Sequence, residues 1–335
     1  MKVLVTGGAG FVGSHVVVAL AEAGHLPVIV DNFANAKDDV PERIGRITGT
    51  VPVVHRVEIG DARALDRVFE SDAFDSVVHC AAHKAVGESV EKPLSYYDNN
   101  VCGTIVLLQA MQRHGVRNLV FSSSATVYGD PEQVPVTEES PAGRATNPYG
   151  WTKVMMEQVI VDVHAADPRW SVALLRYFNP VGAHMSGLIG EDPAGVPTNL
   201  MPFIAQVAAG KLDRLPVYGN DYPTVDGTGV RDFIHVVDLA NGHVAALESM
   251  QQPGAMLVYN LGTGRGTSVL EMVAAFETAT GVRVPYQIVD RRPGDVAETW
   301  TAVEKAATEL GWRAKLSIED MCADMWRWQR SDYAG

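Results

Sequence analysis

Short apolar runs alternate with segments of helical periodicity through the first half of the chain. Lys2–Thr6 is an apolar run of strand length, Ser14–Ala23 has the helical period, and Val28–Val30 is again apolar. Alternation of this kind predicts βαβ units and a parallel sheet covered on both faces. Further strands are predicted at Val53–Ile59, Ser76–Cys80, Asn118–Ser122 and Val172–Tyr177, and further helices at Asn100–His114 and Tyr149–His164.

The pattern changes after about residue 180, where loops rich in glycine and proline appear, for example Gly187–Pro197 and Tyr218–Gly229. Regular elements return at Phe233–Val237, Leu257–Leu261, Val269–Thr280 and Ser317–Arg330. We therefore predict an α/β fold with a Rossmann-type doubly wound parallel sheet over residues 1–180. A smaller α+β substrate-binding lobe follows over residues 181–335, and its late segments can cross back onto the first sheet.

The charge balance limits the classes of partner. The 335 residues include 27 Lys and Arg against 40 Asp and Glu, a formal net charge of −13. Nucleic acids and anionic membrane surfaces require a basic footprint, so neither is expected as a partner. An anionic small molecule is still compatible with this charge, because a local pocket can hold it.

The cysteines indicate a reducing compartment. Cys80, Cys102 and Cys322 form no close pair and no zinc-ligand spacing, so we predict buried thiols and no metal site. His79 and His83 flank Cys80 and are interpreted as packing at a strand end. The chain starts directly with a strand and has no apolar run of about 18 residues, so neither a signal peptide nor a membrane span is expected. We expect a cytoplasmic location.

Three glycines follow the first strand directly. Gly7, Gly10 and Gly13 stand between a predicted strand and a predicted helix, which is the context that a dinucleotide-binding fingerprint requires. Glycine allows the backbone to turn tightly and approach a pyrophosphate at the helix N-terminus. The alternative is a tight turn with a purely structural role.

Asp31 ends the second strand, 18 residues after Gly13. A carboxylate there accepts hydrogen bonds from ribose hydroxyls and repels a 2′-phosphate, which favours NAD over NADP. Asn32 and Asn35 follow where an adenosine would lie, and Asp61 is placed to meet the adenine edge. Each of these three could instead cap a turn.

Polar side chains then collect at the carboxyl ends of the predicted strands. Strand Asn118–Ser122 leads to Ser123 and Ser124, and Tyr149 and Lys153 open a later helix on the same side of the sheet. Residues four apart share a helix face, so the Lys153 ammonium would lower the pKa of the Tyr149 phenol.

The glycine triplet, the serine and Tyr149-x-x-x-Lys153 together resemble the extended short-chain dehydrogenase/reductase superfamily. More narrowly, the chain resembles the UDP-glucose 4-epimerase family over nearly its whole length. The stretches that carry the closer match are Lys84–Val90, Tyr96–Asn100, Ser122–Gly129, Leu174–Ala183 and Gly219–Arg231.

The resemblance implies interconversion of UDP-glucose and UDP-galactose with NAD⁺ that stays bound and takes a hydride from C4 of the hexose. Tyr149 would act as general base for the 4-hydroxyl, its pKa lowered by Lys153 and by the nicotinamide charge. Ser124 would hydrogen-bond the same oxygen, and Lys153 would also reach the nicotinamide ribose. The 4-keto sugar would then turn and receive the hydride on its other face.

The resemblance also implies the binding residues and a homodimer. Cofactor contacts would come from Phe11, Val12, Asp31, Asn32, Phe33, Ala34, Asn35, Ala36, Asp61, Ala62, Cys80, Ala81, Ala82, His83, Lys84, Asn99 and Phe178. The UDP-hexose substrate would contact Asn179, Asn199, Leu200, Pro216, Val217, Tyr218, Arg231, Arg292, Asp295 and Thr299. Two subunits would pair through helices at about 95–115 and 150–165.

Two positions depart from the family pattern. Thr299 stands where many bacterial relatives have a bulky tyrosine against the sugar 2-position, so we expect that N-acetylhexosamine substrates are also accepted. His83 stands where a hydrophobic residue is commoner, with little effect expected.

Three other functions share parts of this sequence pattern. A 4,6-dehydratase needs an acid and a base for the C6 hydroxyl, and Ser124-Ala125-Thr126 carries no carboxylate. Another NAD-dependent UDP-sugar 4-epimerase, acting on UDP-GlcNAc, UDP-glucuronate or a UDP-pentose, stays open. A non-catalytic NAD-binding regulator is disfavoured, because such proteins typically lose the Tyr-Lys pair.

Overall fold

The computed structural model describes residues 1–193, 195–250, 253–292 and 294–334. The strands are β1 Lys2–Thr6, β2 Leu26–Asp31, β3 Val53–Arg56, β4 Ser76–His79, β5 Asn118–Ser122, β6 Ser171–Tyr177, β7 Asn179–Val181, β8 Leu215–Tyr218, β9 Val230–His235, β10 Met256–Leu261, β11 Gly266–Ser268, β12 Tyr286–Val289 and β13 Glu298–Thr299. The helices are α1 Phe11–Glu22, α2 Val40–Thr48, α3 Ala62–Ser71, α4 Val86–Glu91, α5 Pro93–Tyr96, α6 Gly103–Arg113, α7 Pro148–Ala166, α8 Leu200–Ala208, α9 Val236–Ser249, α10 Val269–Thr280, α11 Glu304–Glu309 and α12 Ile318–Gln329. A π-helical turn, Tyr97–Cys102, joins α5 to α6, and a 3₁₀ turn, Ala125–Tyr128, follows β5.

The main sheet has the strand order β3-β2-β1-β4-β5-β6-β10, and every neighbouring pair in it is parallel. The order reverses direction between β1 and β4, which is the switch point where ligands bind in doubly wound folds. The predicted α/β class with a Rossmann-type parallel sheet is confirmed.

Both faces of this sheet are covered, because its strands alternate their apolar side chains between two cores. Val3 and Val5 pack in one core with residues of α1 and α9, whereas Leu4 packs in the other with residues of α3, α6 and α7. Strands buried on both faces are continuous apolar runs, as β1 and β5 are. Each fully buried Val or Leu stabilises the fold by about 1.5–3 kcal/mol.

The smaller lobe has its own sheet and core. Strand β9 pairs with β11, β13 and β7, and β8 pairs with β12. Residues of α8, α10 and α12 fill the core beneath them. Ser268 and Ser317 form capping boxes that determine where α10 and α12 begin.

Some boundaries differ from the prediction. Strand β3 ends at Arg56 rather than at residue 59, and β9 ends at His235, where α9 begins at once. Strand β10, from beyond residue 180, pairs with β6 in the main sheet. The predicted division into lobes at residues 1–180 and 181–335 stays a prediction, because this late strand belongs to the sheet of the first lobe. In the described ranges, no helix is both long and apolar enough to cross a membrane.

Candidate active site

The glycine loop forms one end of a cavity of about 530 Å³ at the carboxyl edge of the main sheet. Gly7 has φ +68°, and a Cβ atom there would lie 2.7 Å from the backbone nitrogen of Ala81. A Cβ atom on Gly13 would lie 2.0 Å from the carbonyl oxygen of Gly7. Gly10 is the N-cap of α1 and provides no side chain to cap the first amides of that helix, and Phe11 and Val12 line the cavity. The loop thus fits a dinucleotide pyrophosphate.

Asp31 holds this loop through both oxygens of its carboxylate. Oδ2 accepts a 3.0 Å hydrogen bond from the amide of Ala9, and Oδ1 accepts one of 2.8 Å from the amide of Phe33. Burial is the largest cause that raises the pKa of Asp31, and these amides oppose it. Phe33 has φ 60°, and its ring lies under the Arg56 guanidinium, whose carbon is 4.3 Å from the ring centroid.

Asp61 is not among the residues that line the cavity, and its contact with the adenine edge stays a prediction. Its Oδ1 accepts a 3.0 Å hydrogen bond from the amide of Ala64 and caps α3, which is the turn-capping role left open for it. The cavity wall at this edge is formed instead by Val57, Glu58 and Ile59. The Glu58 carboxylate accepts a 2.7 Å hydrogen bond from the side-chain amide of Asn32.

The segment after β4 is held by the π-helical turn. The Asn100 side chain accepts a 2.8 Å hydrogen bond from the amide of His83 and donates one of 3.0 Å to the His83 carbonyl. It also donates to the Thr152 hydroxyl on α7, at 3.0 Å. The extra residue of a π turn lets Asn100 point inwards while the neighbouring Asn99 lines the cavity.

Ser124, Tyr149 and Lys153 come together as predicted. Tyr149 is 7% exposed and lines the cavity, and the Ser124 side chain lies close enough to its phenol to influence the phenol's pKa. Lys153 lies one turn later on α7 and donates a 2.7 Å hydrogen bond to the carbonyl oxygen of Ser122. Asn147 caps α7 by accepting a 2.9 Å hydrogen bond from Gly150, and this fixes where Tyr149 enters the site.

The predicted lowering of the Tyr149 pKa is wrong for the chain by itself. Burial raises the pKa of the phenol, and the nearby Ser124 side chain opposes that effect without cancelling it. Burial also lowers the pKa of Lys153 to about 8, while Cys80 and Glu157 act to raise it. The Lys153 ammonium is charged below this value, so it is available to offset a developing phenolate.

A buried polar network lies behind the catalytic helix. The Ser123 hydroxyl donates a 2.5 Å hydrogen bond to the Glu157 carboxylate, which is paired with the Arg176 guanidinium at 2.7 Å. Arg176 donates to the Tyr128 hydroxyl at 3.1 Å, and Tyr128 donates to the Asn260 side chain at 2.7 Å. The network joins α7 to β6, β10 and the 3₁₀ turn next to Ser124.

Some of the residues predicted to hold UDP lie near one another in the smaller lobe. Arg231 is opposite Thr299 in the register of β9 and β13, and the charges of Asp295 and Arg292 act on its guanidinium in opposite directions. The Arg292 guanidinium donates to Asp295 at 3.1 Å and lies 5.2 Å from the centroid of the Tyr218 ring. Two guanidinium groups at one place can bind a diphosphate through bidentate hydrogen bonds.

The cavity wall contains most of the predicted cofactor residues but few of the substrate residues. Those it contains are Gly7, Gly10, Phe11, Val12, Gly13, Asp31, Asn32, Ala34, Asn35, Ala36, Cys80, Ala81, Ala82, His83, Lys84, Asn99, Tyr149, Lys153 and Asn199. Those outside it are Phe33, Asp61, Ala62, Ser124, Phe178, Asn179, Leu200, Pro216, Val217, Tyr218, Arg231, Arg292, Asp295 and Thr299.

Several wall residues were missed by sequence reasoning. Tyr177, Glu191 and Trp328 line the cavity, and Lys37 and Arg43 approach it from the segment after β2. Tyr177 ends a strand whose carboxyl edge was already expected to carry ligand contacts, so its position offered a signal. The others come from distant segments and carry no local motif.

The rest of the described chain adds no metal centre. Among the residues with described positions, no group of three or more His, Cys, Asp or Glu side chains could hold a metal ion. His79, next to Cys80, is buried and hydrogen-bonded to Thr6 at 2.7 Å and to Thr104 at 2.9 Å.

Comparison with known proteins gives consistent matches along the whole chain. The family model described as GDP-mannose 4,6 dehydratase matches residues 4–325. UDP-glucose 4-epimerase of Bacillus subtilis is 57% identical over 335 residues, which cover 100% of this chain and 98% of that protein. Human UDP-glucose 4-epimerase is 54% identical over 340 residues, which cover 100% of this chain and 98% of that protein.

Two solved structures are also similar. UDP-glucose-4-epimerase of Stenotrophomonas maltophila, with bound NAD and formylated UDP-arabinopyranose, has a TM-score of 0.96 and 54% identity over 98% of both chains. The Bifidobacterium longum enzyme, in complex with NAD⁺ and UDP, has a TM-score of 0.95 and 52% identity over 98% of both chains.

The doubly wound sheet, the glycine loop and the Ser-Tyr-Lys site define an enzyme of the extended short-chain dehydrogenase/reductase superfamily. Within that superfamily, the chain belongs to the UDP-glucose 4-epimerase family. The matching family model takes its description from a 4,6-dehydratase. In this chain, however, Ser124-Ala125-Thr126 carries no carboxylate that could help to remove a C6 hydroxyl. The resemblance drawn from the sequence is confirmed.

Proposed function

We propose that this chain interconverts UDP-glucose and UDP-galactose by transient oxidation at C4 with tightly bound NAD. The observation that carries the proposal is the buried Tyr149 phenol in the wall of the glycine-loop cavity, near the Ser124 side chain and one helical turn from Lys153. The family to which the chain belongs supports the substrate pair.

The cofactor, when bound, supplies reversible hydride acceptance. Tyr149 takes the proton of the sugar 4-hydroxyl and returns it after the sugar has turned. Ser124 hydrogen-bonds the same sugar oxygen and so assists the proton transfer. Lys153 provides the positive charge that stabilises the phenolate, because burial alone favours the neutral phenol.

The cofactor is held by the chain's own groups at its two ends. The amides of the glycine loop and α1 receive the pyrophosphate, and Asp31 accepts from the adenosine ribose and excludes a 2′-phosphate. Lys84 and Asn99 line the other side of the cavity. In the smaller lobe, Arg231 and Arg292 receive the UDP diphosphate.

Incubation of the purified protein with UDP-galactose, without added cofactor, tests the proposal. We expect UDP-glucose to form without net NADH, because the hydride returns to the same sugar. If no UDP-glucose forms even with NAD⁺ supplied, the proposed activity is wrong.

We propose in addition that UDP-N-acetylhexosamines are accepted. Thr299 is buried and lies opposite Arg231 in the strand register, and its side chain is smaller than the tyrosine that many bacterial relatives have there. Turnover of UDP-GlcNAc should fall sharply in a Thr299→Tyr variant while turnover of UDP-glucose is retained. Absence of UDP-GlcNAc turnover in the native enzyme would contradict this proposal.

A homodimer is proposed from the exposed apolar side chains on the helices predicted to pair. Leu94 is 82% exposed beside Val90, and Trp151 and Met155 are exposed on α7. Light scattering should give twice the chain mass for the native protein and the monomer mass for Leu94→Lys. Val225→Lys, at a fully exposed residue outside these helices, is the control that stays dimeric.

A cytoplasmic location is proposed as well. Cys80, Cys102 and Cys322 are all free thiols, which is typical of a reducing compartment. Fractionation of cells that produce the protein should place the activity with the cytosolic fraction, and activity in the secreted fraction would contradict it.

A further inference from the structure

Glu191 places a buried carboxylate in the wall of a cavity that is otherwise suited to anions. Its side chain is 7% exposed, and it lines the same cavity as the glycine loop and Lys84. A carboxylate at such a place opposes a diphosphate unless a cation neutralises it. Because the Glu191 carboxylate would weaken the binding of a diphosphate, we expect it to make a favourable contact that compensates.

Two partners share one oxygen of this carboxylate. Oε1 accepts a 2.6 Å hydrogen bond from the Lys84 ammonium and a 2.9 Å hydrogen bond from the side-chain amide of Asn199. Lys84 follows β4 of the main sheet, and Asn199 is the N-cap of α8 in the smaller lobe. A single atom therefore joins the predicted cofactor side of the cavity to the predicted substrate side.

The backbone of Glu191 is held in place from below. Its carbonyl oxygen accepts a 3.0 Å hydrogen bond from the indole of Trp328, which is 1% exposed on α12. A Cβ atom on Gly190 would lie 2.5 Å from the Trp328 ring, so the chain passes that ring in close contact. Arg43 donates a 3.1 Å hydrogen bond to the Leu188 carbonyl on the same segment. The carboxylate is thus presented from a fixed support.

Lys84 is the more adjustable member of the group. Its side chain is 52% exposed, and its ammonium also lies 5.4 Å from the centroid of the Phe11 ring at the start of α1. A UDP diphosphate that draws the Asn199 side chain towards itself weakens the hydrogen bond from Asn199 to Glu191. The hydrogen bond from Lys84 to the same carboxylate oxygen then changes as well. The position of Lys84 over the cofactor cavity then changes with it.

We propose that Glu191 is a positioning residue that couples the two sites, so that UDP binding at Asn199 tightens the hold of Lys84 on the cofactor. The inference rests on the proposed function, because it assumes that NAD and a UDP-sugar occupy the two sides. Coupling of this kind is reciprocal and amounts to a factor of about 5 to 150 in affinity.

The test measures the rate of NAD⁺ release from the holoenzyme, with and without saturating UDP. We expect UDP to slow release from the native enzyme by at least about fivefold. In Glu191→Gln, which keeps an acceptor oxygen but removes the charge that holds Lys84, the UDP effect should fall below about twofold. An equal UDP effect in the native enzyme and in Glu191→Gln would overturn the proposal.

Two further variants keep the result interpretable. Glu132→Gln breaks an exposed 2.8 Å ion pair with Arg144, outside the cavity wall, and should keep the native UDP effect. Lys84→Met removes the other end of the coupled pair and should lose the UDP effect as Glu191→Gln does. If Glu191→Gln does not fold, retention of the full UDP effect in Lys84→Met overturns the proposal.

Epimerisation of UDP-galactose by the native enzyme separates the two levels of inference. A native enzyme that epimerises but releases NAD⁺ at the same rate with and without UDP contradicts the coupling alone. A native enzyme that neither binds UDP nor epimerises contradicts the proposed function and, with it, the coupling.

Discussion

The ammonium of Lys153 lies 6.0 Å from the centroid of the Tyr149 ring and hydrogen-bonds the Ser122 carbonyl instead of the phenol. In the proposed mechanism, Lys153 therefore acts on Tyr149 through its charge and not through a direct hydrogen bond. The hydrogen bond to Ser122 also fixes the ammonium at the end of β5, next to Ser124. One short strand end thus positions both groups that assist the phenol.

Tyr149→Phe removes the hydroxyl and keeps the ring. We expect kcat to fall by a factor of about 10² to 10⁴, the range for a lost general base, while bound NAD is retained. Turnover of UDP-galactose and the NAD content of the purified variant are the measurements. Tyr286→Phe, at an exposed tyrosine, is the control and should keep the native kcat. An undiminished kcat in Tyr149→Phe would exclude Tyr149 as the base.

Gly13→Ala tests the glycine loop. The new methyl group would lie 2.0 Å from the Gly7 carbonyl oxygen, so α1 and the loop must separate. We expect loss of bound NAD after gel filtration, measured by extraction. Gly87→Ala, in α4 with no atom within 4 Å of the new Cβ, should retain the cofactor. Retention of NAD in Gly13→Ala would show that the loop adapts to the methyl group.

Arg176→Met tests the buried network. Removal of the guanidinium leaves the Glu157 carboxylate buried and unneutralised, which costs about 3–5 kcal/mol in the free energy of unfolding. Arg169→Met removes an exposed pair with Asp167 and should cost far less, because water screens that pair. Urea denaturation of both variants gives the comparison, and equal costs would argue against an energetic role for burial here.

The buried histidines predict loss of stability in acid. Burial lowers the pKa of His243 to about 4, below its usual 6.5, so in the window between these values the unfolded chain binds a proton that the native chain does not. Stability from this group is present above pH 6.5 and is lost as the pH falls through the window, by roughly 2–3 kcal/mol.

His243→Gln isolates this contribution. His243 is hydrogen-bonded to Ser122 at 2.7 Å and to the Leu239 carbonyl at 2.9 Å, so the variant is less stable at pH 7. The difference in the free energy of unfolding between native and variant should shrink from pH 7 to pH 4. A difference that stays constant over this range would show that His243 does not titrate there.

The elements that the sequence predicted well carry their own local signals. The bounds of β1 and β5 match because both are continuous apolar runs, and α10 matches because Ser268 and Gly281 mark its two ends. The glycine loop and the spacing of Tyr149 and Lys153 are also local, so the main features of the site could be predicted.

The features that the sequence did not predict depend on distant contacts. Glu191 acquires its place only when Lys84, Asn199 and Trp328 converge from three separate segments. Asp61 has the same chemistry whether it meets an adenine or caps a helix, and only the fold shows that one of its oxygens caps α3. Burial sets the direction of the Tyr149 pKa, and burial is a property of the packed structure.

The pairing of β10 with β6 has a consequence for biosynthesis. During translation, the outer edge of β6 stays without its partner until the ribosome has delivered residue 261. Open strand edges with apolar side chains invite intermolecular pairing and aggregation. A fragment that stops at residue 180 would therefore end with an uncovered edge, and the nascent chain passes through that vulnerable stage each time it is made.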